Sequence, residues 1–365
     1  MRYESEMSNS VSDFDSKACF IAGPDKSGTT LLCSLLDSHP QMAVFPEETN
    51  YMRRVIPWLG KRLREEQVDY LVRRGPSRML FIPPTELGNS YPGFPKNEYL
   101  KAFTQAALET KAGGRELLGL MIEEYTKIIG QDPVKVVRWV EKTPDNAYCF
   151  PRIRRVYPEA KVLIMVRDPR AVFSAHLELS RKMGRPFSAF NPVRGWLQTA
   201  ALLRSGDPLL DASIVVQFEK LAEDPESETR RIASFLGIEW DPILMNPTKS
   251  GQSWGGNSAS FSTFTAVDKT PVDRWKGVLS RAEISWVESL CRRDMESLGY
   301  ECASDGEKFP TLKRLPEEKL HSFVKSRWLS IQERATEKFS RKPLFLPKDW
   351  SLTNRPPVWG TNGYL

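Results

Sequence analysis

The segment Gly23-Pro-Asp-Lys-Ser-Gly-Thr-Thr30 sets two glycines around a lysine and ends in two threonines. Such a turn suits an anion: glycine lets the backbone fold tightly, and N–H groups at a helix start converge on negative charge. Lys26, Ser27, Gly28, Thr29 and Thr30 are the candidate ligand-binding residues of this loop. Arg167 and Ser174 stand seven residues apart, two turns of a helix, and could share a second anion. Arginine would act by charge-assisted hydrogen bonds and serine by its hydroxyl. Glu47 and Glu48 offer a carboxylate within reach of a reacting proton. Neighbouring side chains of an extended segment face opposite ways, so only one enters a cleft; Glu48 is the first choice and Glu47 the second. Lys26 and Lys142 can each oppose negative charge growing on a leaving group.

These residues need elements to position them. Ala18-Cys-Phe-Ile-Ala22 is a short apolar run stopped by Gly23-Pro24, and so reads as a buried strand. Thr29 to Ser38 then places Leu31, Leu32, Leu35 and Leu36 on one helical face, ended by His39-Pro40. Further strands are expected at Val134–Val140, ending at Glu141, at Lys161–Val166 and at Ser213–Phe218. Helices follow from Asp168-Pro169-Arg170 to about Lys182, and from Asp224-Pro225 to Gly237. Four buried strands alternating with helices predict an α/β fold, a mostly parallel sheet covered on both faces, with ligands at the carboxyl ends of the strands. Arg53 to Lys111 reads as an insertion over the sheet, with helix from Arg53 to Tyr70 and again from Lys96. The Gly-, Ser- and Thr-rich stretch 246–271 reads as a long lid-like loop. A helix is expected from Ser280 to Gly299, another through Leu320, Phe323, Val324, Trp328 and Ile331, and an irregular end from Lys342. The divisions are a flexible start at 1–17, a main domain at 18–300 and an extension at 301–365.

The phosphate loop departs from the ATP-binding G-x-x-x-x-G-K-[ST] pattern, because Thr29 follows the second glycine where lysine is required, and the lysine stands upstream at Lys26. Instead KSGTT after a buried strand resembles the 5′-phosphosulfate loop of sulfotransferases that use 3′-phosphoadenosine 5′-phosphosulfate (PAPS). Val166-Arg-Asp-Pro-Arg-Ala-Val-Phe-Ser174 is similar to that family's 3′-phosphate motif. HPQMAVFPEET resembles the stretch carrying the catalytic glutamate of protein-tyrosine sulfotransferases, which falls on Glu48; Asn50 stands where that group has arginine. Glu141-Lys-Thr-Pro-Asp-Asn146 is similar to the strand end of carbohydrate-type sulfotransferases and puts Lys142 at the mouth of the site. Phe218-Glu-Lys-Leu-Ala-Glu-Asp-Pro225 resembles the family's YEDL-x-x-DP segment, and Arg274-Trp275-Lys276 its late loop that closes over the nucleotide.

The resemblance covers most of residues 18–300. It implies a P-loop-like sulfotransferase fold, PAPS as donor, no metal, and a hydroxyl- or amine-bearing acceptor of unidentified class. An ATP-dependent P-loop phosphotransferase is the alternative and requires magnesium; a non-catalytic nucleotide-binding protein would keep the loop without needing Glu48 and Lys142. His39, His176, Trp139 and the five cysteines read as structural, with a Cys291–Cys302 bridge as an option. Net charge is 52 − 46 = +6, which suits anionic ligands without implying nucleic acid. No run of 18 apolar residues would span a membrane, and the polar, acidic start is unlike a secretory signal, so the expected location is cytoplasmic.

Overall fold

In a computed structural model of the chain, the described residues are 13–59, 62–73, 94–110, 114–184, 187–206, 208–254, 256 and 266–303. The expected helix through Leu320 to Ile331 and the end from Lys342 lie outside them.

Alternation within the strands builds two cores. Ala18, Phe20 and Ala22 of strand β1 (Ala18–Ala22) face one side of the sheet, with Trp139, Val162, Ile164 and Val166. Cys19 and Ile21 face the other, with Val140, Leu163, Met165 and Val216. Both faces are therefore covered, and all five residues of β1 are buried. Phe20 packs edge-on to Trp139 at 5.6 Å between ring centroids, and truncating such a core aromatic to alanine costs about 3–5 kcal/mol.

Against the four strands expected from the apolar runs, the main sheet has five. The addition is β2 (Met42–Val44), only three residues long and all buried, which gives periodicity too little to work on. β3 is Arg138–Lys142, β4 is Lys161–Val166 and β5 is Ser213–Gln217. The order is β2-β3-β1-β4-β5 and every pairing is parallel. Expected strand residues Val134–Val137 lie outside β3: Lys135 N–H closes a turn on the Asp132 carbonyl and Val134 is exposed. Their apolar alternation was the misleading feature.

The first helix, Thr29–Leu36, returns along the sheet from β1 and stops two residues earlier than expected, where Ser38 takes a positive φ of 64°. Residues 13–17, expected within a flexible start, carry a 3-10 turn with Phe14 and Asp15 buried, and the Phe14 carbonyl accepts from Trp139 Nε1 at 2.7 Å. The insertion forms a π-helical turn at Tyr51–Val55, a short helix Ile56–Leu59, and helices Arg64–Arg73 and Lys96–Glu109, so the continuous helix expected from Arg53 to Tyr70 is broken. Of the 246–271 stretch expected as a long loop, residues 255 and 257–265 lie outside the described residues, and Thr248–Lys249 with Gln252–Ser253 form a small antiparallel hairpin. Asp37 anchors it, accepting from Thr248 Oγ1 at 2.8 Å and Gly251 N–H at 2.9 Å. The late helix Arg281–Ser297 opens on a capping box between Ser280 and Glu283. All five cysteines are free thiols, including Cys291 and Cys302.

Candidate active site

The carboxyl ends of β1, β3 and β4 meet beside the glycine loop. Gly23 has φ 142° and a Cβ there would stand against the Met165 carbonyl oxygen; Gly28 has φ 102° and a Cβ there would lie 2.7 Å from the Phe218 ring. Neither position admits a side chain, so the loop lies close over β4 and over the start of the helix Phe218–Glu223 that follows β5. Lys26 adopts φ 65°, a left-handed conformation unusual for a side-chain-bearing residue. Among the described residues, the N–H groups of Lys26, Gly28 and Thr29 donate to no protein acceptor, and the first helix has no side-chain N-cap. This is an anion cradle with its donors unspent. Ser27 is buried and its hydroxyl donates to the Pro24 carbonyl at 2.6 Å, so it shapes the turn.

Lys142 ends β3 and is buried. Its Nζ donates to Glu48 Oε1 at 2.6 Å and to Thr30 Oγ1 at 3.2 Å, joining the candidate base, the candidate cation and the loop threonine in one cluster. Burial alone would push the Lys142 ammonium down, but Glu48 outweighs it and holds the proton on above the usual lysine range. Glu47 points elsewhere, accepting from Lys249 Nζ of the hairpin at 2.9 Å. The two neighbouring carboxylates thus face different partners, as expected of an extended segment.

Glu141, next to Lys142, is the buried anchor that periodicity did not reveal. Its Oε1 accepts from Thr49 N–H at 3.2 Å and from the hydroxyls of Thr49 and Thr143 at 2.6 Å each, and its Oε2 accepts from Asn146 Nδ2 at 2.7 Å. Burial holds its carboxyl above the usual carboxylate range, and these four bonds offset only part of that rise. The threonine after Glu48 is thereby fixed to the residue before Lys142. The signal was present as the two motifs EET and EKTPDN; their mutual contact was not.

Arg167, at the end of β4, gives one hydrogen bond to the Lys26 carbonyl at 3.0 Å and another to the Pro271 carbonyl at 2.6 Å, while its buried Nε has no partner. Its guanidinium lies over the Phe218 ring at 4.3 Å. Burial pushes Arg167 below the usual arginine range, opposed by Glu219 and Asp168. Ser174 is buried in the next helix with its hydroxyl on the Ala171 carbonyl at 3.2 Å. Lys26 is pushed down by burial, partly offset by Asp25 and Glu48.

The late triplet divides. Trp275 is a core residue carrying the Arg170 guanidinium at 4.0 Å, Arg274 pairs with Glu178 at 2.7 Å, and Lys276 pairs with Asp273 at 2.8 Å on the surface. The carbonyl of Pro271, three residues earlier, is what the segment brings to Arg167. Trp139 is core, and His39 is held between the Glu239 carbonyl and Gln41 N–H. His176 lies within reach of the Asp25 carbonyl and the Lys26 charge, with its Nε2 buried and without a hydrogen-bond partner; burial and then Lys26 push it down to about 4. Among the described residues no three His, Cys, Asp or Glu side chains gather to hold a metal, and no helix is long and apolar enough to cross a membrane.

The profile described as "Sulfotransferase family" matches residues 19–242, more than half of the chain and all of the sheet but the first residue of β1. The chain belongs to the sulfotransferase family. This sulfotransferase is 25% identical over 244 residues to a putative protein-tyrosine sulfotransferase of Caenorhabditis briggsae, covering 65% of the chain and 70% of that relative. It is 25% identical over 312 residues to the nodulation protein NoeE of Sinorhizobium fredii, covering 78% of the chain and 66% of that protein, so it spans about two thirds of these relatives. The sulfotransferase domain of a Synechococcus olefin synthase superposes with a TM-score of 0.52 at 19% identity, covering 78% of the chain and 94% of the domain, a likeness of fold. The mostly parallel sheet and flanking helices are thus those of the P-loop-like sulfotransferase fold.

Proposed function

We propose that this sulfotransferase moves a sulfuryl group from PAPS to a hydroxyl, or an amine, of its acceptor by in-line displacement. The observation that carries the reading is the cluster of Glu48, Lys142 and Thr30 beside a loop in which, among the described residues, the N–H groups of Lys26, Gly28 and Thr29 have no protein acceptor. The loop residues Lys26, Gly28 and Thr29 would hold the 5′-phosphosulfate, and Arg167, from the adjoining strand end, the 3′-phosphate. When bound, the donor supplies an activated sulfuryl group; the acceptor oxygen forms the new bond to sulfur as the bridging oxygen leaves with its electron pair. Glu48 takes the acceptor proton. Lys142 holds the Glu48 carboxylate in place by the hydrogen bond between them, and Lys26 and Lys142 place positive charge beside the departing oxygen. Arg274, Trp275 and Lys276 contribute at most through the segment that carries Pro271.

The two relatives differ in what their names describe, a protein tyrosine in one and nodulation in the other, so a nucleophilic hydroxyl is the level at which the acceptor is proposed. Two measurements test the reading. Adenosine 3′,5′-bisphosphate should raise the melting temperature where ATP with magnesium does not, and label from ³⁵S-PAPS should pass to a component of a cell extract. Stabilisation by magnesium-ATP alone would restore the phosphotransferase.

A further inference from the structure

The peptide unit joining Arg167 to Asp168 is held at both of its polar ends by side chains. Its carbonyl accepts from Trp196 Nε1 at 2.8 Å, and its N–H donates to Glu219 Oε1 at 2.9 Å. In a trans peptide these two groups point in opposite directions, so the pair fixes the plane from which the arginine side chain departs. Glu219 is itself held: Tyr300 donates to its other oxygen, Oε2, at 2.9 Å. Its neighbour Phe218 lies under the Arg167 guanidinium and against the position a Gly28 Cβ would take. The dipeptide that follows β5 therefore touches the arginine from both directions, backbone through Glu219 and guanidinium through Phe218.

We infer that Glu219 is a positioning residue for Arg167, holding its backbone so that the guanidinium is set toward the donor's 3′-phosphate. The inference rests on the donor reading given above. A carboxylate that only stabilised the fold would have no reason to affect one phosphate of the nucleotide more than the other. Positioning through Arg167 does, because its loss acts only where that guanidinium acts.

The test is a binding cycle with two probes, adenosine 3′,5′-bisphosphate and adenosine 5′-phosphate, on the full chain and its Arg167→Ala, Glu219→Ala, Glu219→Gln and double Arg167→Ala/Glu219→Ala variants. Glu219→Ala should weaken the bisphosphate by about 10-fold, the scale of one hydrogen bond to a charged group, and leave the monophosphate within about 2-fold. Glu219→Gln keeps an oxygen for the Asp168 N–H and should bind like the unaltered chain. In the double variant the Glu219 change should add nothing to Arg167→Ala, because coupled residues are not additive. Equal loss of both probes, or full additivity, overturns the role given to Glu219 while leaving Arg167 in place. If Arg167→Ala itself shows no preference between the probes, the donor reading falls and this inference with it. Should Glu219→Ala fail to fold, Tyr300→Phe releases the same carboxylate at its other oxygen; a selective loss of bisphosphate binding supports the inference and an unchanged preference refutes it.

Discussion

Replacing Glu48 by glutamine separates chemistry from architecture. The carboxylate is 35% exposed and touches Lys142 Nζ at 2.6 Å, while Lys142 is 5% exposed by side chain. A glutamine oxygen can still accept from Lys142, so the loss is a hydrogen bond between two charges traded for one to a neutral acceptor. Charged bonds contribute about 1.5–3 kcal/mol and neutral ones about 0.5–1.5, which makes the stability cost about 1 kcal/mol. The cost for reaction is larger, since the amide cannot take the acceptor's proton: turnover should fall by about 10²–10⁴. At about 1.36 kcal/mol per decade that is about 2.7–5.4 kcal/mol of barrier, well beyond the stability term. The assay is the initial rate of label transfer from ³⁵S-PAPS at saturating acceptor, paired with thermal melting and bisphosphate affinity. Glu47→Gln is the control, because Glu47 faces Lys249 and should lose little turnover. Near-normal turnover in Glu48→Gln would refute the assignment of the base, and a collapse in Glu47→Gln alone would show that the wrong neighbour had been chosen.

Gly23→Ala should lower bisphosphate affinity and melting temperature together, since the new methyl meets the Met165 backbone rather than a side chain that can move aside; an unchanged melt and affinity would contradict the tight loop. Glu288→Gln removes one of two charges from the buried Arg170, which Glu288 meets at 2.6 Å, but leaves it an acceptor oxygen and the Asp168 carboxylate at 2.6 Å, so it should destabilise by about 1–2 kcal/mol in denaturant unfolding; no measurable loss would count against that pair. Two cleft groups should titrate stability in opposite senses. Although Asp25 is exposed as a residue, the protein packed around its carboxyl first and Glu48 second push that carboxyl up to about 6, so the folded chain holds the proton more tightly and stability falls as pH rises from about 4 to about 6; with the exposure screening the effect, Asp25→Asn should recover under about 1 kcal/mol at neutral pH, and a loss there would contradict the shift. His176 is pushed down to about 4, so its contribution is present above about 6.5 and lost as pH falls toward 4; His176→Gln should flatten that acid limb of a melting-temperature profile, and an unchanged slope would contradict it.

Much of the fold was legible because long apolar runs report burial on both faces. β1, β4 and β5 fall where such runs stand, and Gly23 and Gly28 mark the loop by chemistry that no other residue could replace. β2 escaped because three residues cannot establish a period, and Val134–Val137 misled because alternation beside a turn imitates a strand. At the site, Glu48, Lys142 and Thr30 were named singly and do meet. An aromatic in a motif carries no sign of which face it presents: Trp275 is buried, and Arg170, four residues after the end of β4, lies over its ring at 4.0 Å. His176 reads as structural from the sequence, and the loop that it approaches lies on a different element, which spacing along its own helix does not report.

The division of labour among the strand ends explains why the central pair can be 94 residues apart in sequence and 2.6 Å apart in space. Parallel strands end on one edge of the sheet, and β2, β3 and β1 are consecutive there. Adjacency alone would leave the residues after β2 free to swing. Glu141 removes that freedom: it sits inside β3, buried, and receives both the N–H and the hydroxyl of Thr49, the residue after Glu48. A buried carboxylate needs its lone pairs filled, and here the donors that fill them belong to the segments that carry Glu48 and Lys142. The solvation demand of one side chain thereby sets the geometry of two others. Glu141→Gln should then disturb turnover as well as stability, because an amide in that place puts an N–H against a donor it must oppose; a variant that melted lower yet turned over normally would show that Glu48 is held by β2 alone.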